Sequence, residues 1–214
     1  MIQNILDTNW NDWKEDRYPI DRRMVTVEET IGEPAMSVEN TRFLINEIVR
    51  RVGGLYLEVG VFVGHSLMSA SVFNEQVECI GIENFTEHPD MDRLAYVIKH
   101  YMPNNAMVLN GSFEDMIPRM REEYANSVSV FYYDGHHSYD KTLLGLYMLQ
   151  PLMAPKSYIL LDDLVMNQVR HAKNRFVNAN DEWEEVFYVE PPRELVMKNT
   201  FKNWYNGFCV LERV

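Results

Sequence analysis

An α/β fold is predicted for this 214-residue chain: one doubly wound, mainly parallel sheet of seven strands with an antiparallel C-terminal strand. Three features predict it. Short apolar runs alternate with longer amphipathic ones from residue 55 to residue 179. The first run closes in a glycine turn that opens a helix. The last two strand-like runs have no long helix between them, so one of them runs against the sheet.

In order along the chain, residues 1–36 carry Trp10, Trp13 and Tyr18 among many charges, with a breaker at Pro34 and no clear period. They are expected to form an N-terminal arm or a cap, ahead of a domain at 37–214. Ser37 to Asn40 is predicted to cap a helix with Phe43, Leu44, Ile48, Val49 and Val52 on one face, ended by Gly53-Gly54. Leu55 to Val59 is a buried strand, and a helix follows from His65 to Phe73. Strands are then expected at 77–83, 106–109, 128–133 and 157–161, with helices at 90–101, 113–124, 139–153 and 167–179 between and after them. Residues 183–189 and 208–211 complete the sheet, and the 191–206 connection, with Trp204 and Tyr205, is long enough to cross the active edge.

Twenty Lys and Arg against thirty-two Asp and Glu give a net charge of −12, which argues against a nucleic-acid partner. With 46% hydrophobic and 24% charged residues, no signal-like leader and no apolar run near eighteen residues, a cytoplasmic protein without a membrane contact is expected. Cys79 and Cys209 lie in apolar, strand-like runs and read as reduced core residues. The aromatic-rich arm makes a homo-oligomer a possible assembly.

In such sheets ligands bind at the carboxyl ends of the strands, so the residue closing each strand carries the information. Glu58 and Gly60 close the first, Glu83 the second, Gly111-Ser112 the third, Asp134 the fourth, and Asp162-Asp163 the fifth. The spacing Glu58-x-Gly60-x-x-x-Gly64 departs from the dinucleotide pattern and sets an acid where a pyrophosphate would be repelled, which favours a cofactor bearing a positive group over a nicotinamide dinucleotide. Gly64 lets a ligand approach the backbone at the helix N-terminus. Glu83 is placed to accept both hydroxyls of a ribose. Ser112 and Phe113 can meet an adenine ring, although Ser112 with Asp115 is equally an N-cap. Asp134, Asp162 and Asp163, on neighbouring strand ends, would repel one another unless a hard divalent cation such as Mg2+ neutralised them; as helix caps they would need none. His137, at the positive end of the next helix, tends to stay neutral and is the candidate base, with His136 its competitor.

The stretches 57–66 (LEVGVFVGHS), 133–139 (YDGHHSY) and 160–163 (LLDD) resemble the class I S-adenosylmethionine-dependent methyltransferases, specifically the metal-dependent macrocin O-methyltransferase and cephalosporin-hydroxylase-like group, over about Ser37 to Leu164. That resemblance implies a Rossmann-like methyltransferase fold. It places Glu58, Gly60, Gly64 and Ser66 at the aminoacyl end of S-adenosylmethionine, Glu83 at the ribose, and Ser112 with Phe113 at the adenine. It makes Asp134, Asp162 and Asp163 ligands of Mg2+, with Asp134 also beside the cofactor and part of the catalytic pair with His137. The sequence departs from the group at 154–157 (APKS), where a Gly-Gly is common, and at His136, often an Asp.

The implied reaction is Mg-dependent O-methylation of a small polyhydroxylated acceptor: a sugar or natural-product glycoside, or a catechol-like ring. The rival expectation is a non-catalytic S-adenosylmethionine-binding partner within a larger assembly, which has no use for a base beside a metal.

Overall fold

The structure, a computed structural model, describes residues 1–9, 37–85, 91–191, 204 and 206–214. Trp10, Trp13, Tyr18, Pro34, Asp90 and most of the 191–206 connection, Tyr205 included, lie outside the described residues.

Seven strands form one sheet: β1 (Leu55–Val59), β2 (Glu78–Glu83), β3 (Ala106–Asn110), β4 (Val128–Tyr133), β5 (Met153–Asp162), β6 (Trp183–Val189) and β7 (Phe208–Arg213). Their order is β3-β2-β1-β4-β5-β7-β6. The first five pair in parallel, and β7 enters antiparallel between β5 and β6. This is the predicted doubly wound sheet. Strand order reverses between β1 and β4, where a ligand crevice belongs.

Alternation along the inner strands divides the core into two layers. Tyr56, Cys79, Val130, Tyr132, Tyr158 and Leu160 face helices α1 (Ile2–Asn9), α2 (Glu39–Val52), α3 (His65–Ser71) and α4 (Met91–His100). Leu57, Ile80, Phe131, Tyr133, Ile159 and Leu161 face α5 (Phe113–Tyr124), α6 (Tyr139–Leu149) and α7 (Asn167–Ala179). β1 and β4 are buried along their whole length, which is why their sequences read as continuous apolar runs. Both cysteines are buried and free, as a core role requires. Among the described residues no helix is long and apolar enough to cross a membrane.

Four local expectations change. Residues 2–9 do have a period: α1 buries Ile2, Ile5 and Leu6 against α2, and Asn4 accepts a hydrogen bond from Arg51 at 2.7 Å. Ser37 does not cap α2, whose N-cap is Val38 and makes no side-chain bond. α3 stops at Ser71, since Val72 is extended and Phe73 is left-handed (φ 58°) and exposed. The helix expected to reach residue 153 ends at Leu149 in a short 3-10 turn, because Pro151 cannot continue it; Met153, paired with Val128, then starts β5 four residues early.

Candidate functional site

A cavity of about 790 Å³ opens over the carboxyl ends of β1, β2, β4 and β5. Its wall includes Gly60, Ser66, Glu83, Ser112, Phe113, Asp134, His137, Asp162 and Asp163, so nine of the eleven residues singled out in the sequence reach one space. Glu58 and Gly64 do not line it, and each has a structural reason.

Glu58 is fully buried beneath the first turn of α3. Its carboxyl accepts hydrogen bonds from the Tyr56 hydroxyl at 2.6 Å and the Ser66 hydroxyl at 2.5 Å. Burial still pushes its pKa up to about 8, against the opposing effect of both bonds. Gly64 (φ 95°) turns toward α4, where a Cβ would meet Met102, Leu94 and Val97 at 3.2 to 3.6 Å. It makes room for a helix rather than for a ligand. Gly60 (φ 88°) is the close-approach glycine: a Cβ there would stand 2.0 Å from the carbonyl oxygen of Asp134, so β1 and β4 can converge only without one.

Glu83 holds the turn between them. Its Oε2 accepts from the backbone N–H of Val61 and of Phe62, and Oε1 from Phe85, each at 2.8 Å. Phe62 and Phe85 are both left-handed (φ 52° and 56°), a conformation these bonds help to fix. A carboxylate offers about four acceptor positions, so Glu83 has room for one further donor rather than for both hydroxyls of a ribose. Ser112 is the N-cap of α5, accepting from the Asp115 N–H at 3.2 Å. Phe113 is buried edge-on against Tyr133, with centroids 6.1 Å apart.

At the other end the acids crowd. The Tyr132 hydroxyl donates to Asp162 Oδ2 at 2.7 Å and lies 3.2 Å from Asp134 Oδ2. Asp162 Oδ1 accepts the Asp163 N–H at 2.8 Å, so both its oxygens are held from within the protein. His137 Nε2 stands 2.7 Å from Asp163 Oδ2, and Asn206 Nδ2 donates to Asp163 Oδ1 at 2.6 Å. Burial, then the charges of Asp162, Asp163 and Glu58, hold the Asp134 carboxyl well above the carboxylate range. Burial and Asp163 push Asp162 up to about 7.

Ligand atoms of Asp134, His137 and Asp163 lie within 4.8 Å of one another. This set shares Asp134 and Asp163 with the expected three; Asp162 lies alongside, each of its oxygens accepting one hydrogen bond and keeping an acceptor position. Two carboxylates in a space where like charges already oppose ionisation suit a hard divalent cation by the chemistry of their donors, and the imidazole beside them, paired with Asp163, can act on a proton. His136, the alternative base, is exposed; its Nδ1 accepts the Ser138 N–H at 3.1 Å and its backbone carbonyl accepts from Tyr133.

Sequence reasoning missed Tyr132, Asn206 and Lys141. Tyr132 sits in the apolar run of β4, where a buried hydroxyl needs a partner, a signal that was available; Asn206 arrives from the C-terminal turn, which carries none. Lys141 pairs with Glu114 and lies 6.0 Å over the Phe113 ring.

Residues 57–164, just over half of the chain, match a family described as "Methyltransferase domain". No curated protein matches in sequence. Among solved structures, the O-methyltransferase from Bacillus cereus in complex with SAH is 16% identical, with a TM-score of 0.68 and 100% of each chain covered. The O-methyltransferase TomG from Streptomyces achromogenes, involved in tomaymycin synthesis and complexed with SAM, is 14% identical, with a TM-score of 0.64 and 91% of this chain and 90% of the other covered. At these identities the likeness is one of fold.

Proposed function

The chain belongs to the methyltransferase-domain family, and on that premise we propose that it transfers a methyl group from S-adenosylmethionine to a hydroxyl of a small polyhydroxylated acceptor, a sugar or glycoside or a catechol-like ring, with a divalent cation such as Mg2+. The observation that carries the proposal is the pairing of His137 with Asp163, 2.7 Å apart, in the same cavity as Gly60, Glu83 and Phe113. A base oriented by a carboxylate serves proton removal, and a binding protein gains nothing from it.

Gly60 and Ser66 would hold the donor's amino-acid end above the buried Glu58, Glu83 would accept one ribose hydroxyl, and Ser112 with Phe113 would border the adenine. S-adenosylmethionine supplies a methyl on a sulfonium, already a good leaving group, so orientation is the main task left to the protein. Asp134 and Asp163 would hold the cation, which would lower the pKa of the acceptor hydroxyl. His137, oriented by Asp163, would take the acceptor's proton, and the Asp163 charge would stabilise the imidazolium that forms. The acceptor oxygen then forms its C–O bond as the C–S bond breaks, giving the methyl ether and S-adenosylhomocysteine.

Calorimetric titration with S-adenosylmethionine and NAD, followed by a methylation screen of sugars, catechols and glycosides with Mg2+, tests the reading. Binding of the first ligand alone is expected. Turnover should disappear with a chelator and in Asp134→Ala while donor binding persists. Full turnover in Asp134→Ala would remove the cation from the reaction, and tight NAD binding would replace the donor.

A further inference from the structure

Asp163 stands in an unusual place for its side chain. It is left-handed (φ 60°), 6% exposed, and held at both oxygens by elements far apart in sequence. His137, from the turn after β4, takes Oδ2; Asn206, from the turn before β7, takes Oδ1. Because a carboxylate only accepts, the amide nitrogen of Asn206 must be the atom that faces it.

Asn206 is itself fixed. Its backbone carbonyl oxygen accepts the Val165 N–H at 2.9 Å, two residues past Asp163, and Gly207 N–H donates to the Trp204 backbone carbonyl at 2.7 Å. Gly207 (φ 86°) has no space for a side chain: a Cβ would meet the Val189 carbonyl oxygen at 2.9 Å and Leu164 Cβ at 3.2 Å. Trp204 is buried and stacked on Phe208, which pairs with Asp162 across β5 and β7. The bonds of Asn206 and Gly207 therefore hold the carboxamide at the acidic cluster.

We propose that Asn206 is a positioning residue of the cation site: it locks the plane of the Asp163 carboxylate so that Oδ2 is presented beside Asp134 and His137 before any ion arrives. The inference rests on the reading of Asp134 and Asp163 as cation ligands. Asp162 needs no such partner, since Tyr132 and its neighbour's N–H already hold it. Outer partners of this kind fix ligand orientation, and their loss typically weakens metal binding by about 10- to 100-fold.

The test is Mn2+ binding to the full chain, followed by the electron paramagnetic resonance of the free ion, beside calorimetric binding of S-adenosylhomocysteine without metal. Asn206→Ala is expected to lose about 10- to 100-fold in Mn2+ affinity while S-adenosylhomocysteine affinity and the melting temperature stay at wild type. Asn206→Leu keeps roughly the shape and loses the donor without adding a charge, so it should weaken Mn2+ binding as Asn206→Ala does. A merely structural role would lower S-adenosylhomocysteine affinity and the melting temperature along with Mn2+ affinity. Asn206→Ala with wild-type Mn2+ affinity, or a loss that falls on all three readouts, overturns the inference; should Asn206→Ala not fold, wild-type Mn2+ affinity in Asn206→Leu overturns it alone. A wild-type chain that binds S-adenosylhomocysteine but no Mn2+ removes the cation reading, and this inference with it.

Discussion

The two ends of the cavity handle carboxylates in opposite ways. At the β1 and β2 tips, Glu83 takes three backbone N–H bonds and shapes the turn that receives the proposed donor. At the β4 and β5 tips, Asp134, Asp162 and Asp163 meet with one tyrosine hydroxyl, one imidazole and one carboxamide among them, and two of the three have raised pKa values. A carboxylate surrounded by N–H groups is already compensated from within the chain. Crowded carboxylates oppose one another's ionisation, which is the setting the proposed chemistry on a hydroxyl would use.

That contrast is broken most directly at His137. His137→Ala should lower kcat by roughly 10²- to 10⁴-fold, the usual contribution of a positioned base, and leave the donor's Kd unchanged because the loss falls at the acidic end alone. Single-turnover methylation with saturating S-adenosylmethionine measures it. A Kd that rises along with the loss of turnover would show that the two ends are not separable.

Glu83→Gln attacks the other end and should show the mirror image. The amide keeps an acceptor for the turn but sets an N–H against one of the three backbone donors, so the turn loosens. Donor affinity should fall roughly tenfold, about 1.4 kcal/mol, with kcat at saturation little changed. Calorimetry with S-adenosylhomocysteine and a kcat measurement divide the effect. A fall in kcat with unaltered affinity would mean that Glu83 serves the reaction rather than the cradle.

How far each end was legible follows from the same physics. Strand ends announce themselves where an apolar run stops at a polar residue; Glu83, Asp134 and Asp162-Asp163 were readable for that reason, and so was the sheet, whereas Glu58 lies inside β1, buried beneath α3. What side chains do after the strand ends is set by contacts across the fold. Nothing local to Gly64 says that α4 packs against it, and nothing local to Asn206 says that β7 brings it to Asp163. Asp162 and Asp163 look equivalent in the chain, yet one is held inward by Tyr132 and the other turns to His137. The 3-10 turn at Gln150–Leu152 was the reverse case: Pro151 stood in plain view inside the predicted helix, and the apolar period outweighed it.

Glu58 sits at the donor end but behaves like the acids of the other, and it gives the smallest and sharpest test. Its folded-state pKa of about 8 lies above the model-compound value of 4.5, with burial the main cause. Between those values the folded chain holds a proton that the unfolded chain has released, so raising the pH favours unfolding. The stabilisation is complete below about 4.5 and is lost as the pH passes 8. Glu58→Gln mimics the protonated acid and can still serve Tyr56 and Ser66. Unliganded wild type and variant should therefore have similar stability at low pH and diverge as it rises, the variant ending more stable by a few kcal/mol, to order of magnitude. The raised carboxyls of Asp134 and Asp162 act in both proteins and largely cancel in the difference. Urea unfolding across this pH range reads it; a variant weaker than wild type by the same amount at every pH would mean that Glu58 is charged in the folded chain, and that the donor end too awaits a positive partner.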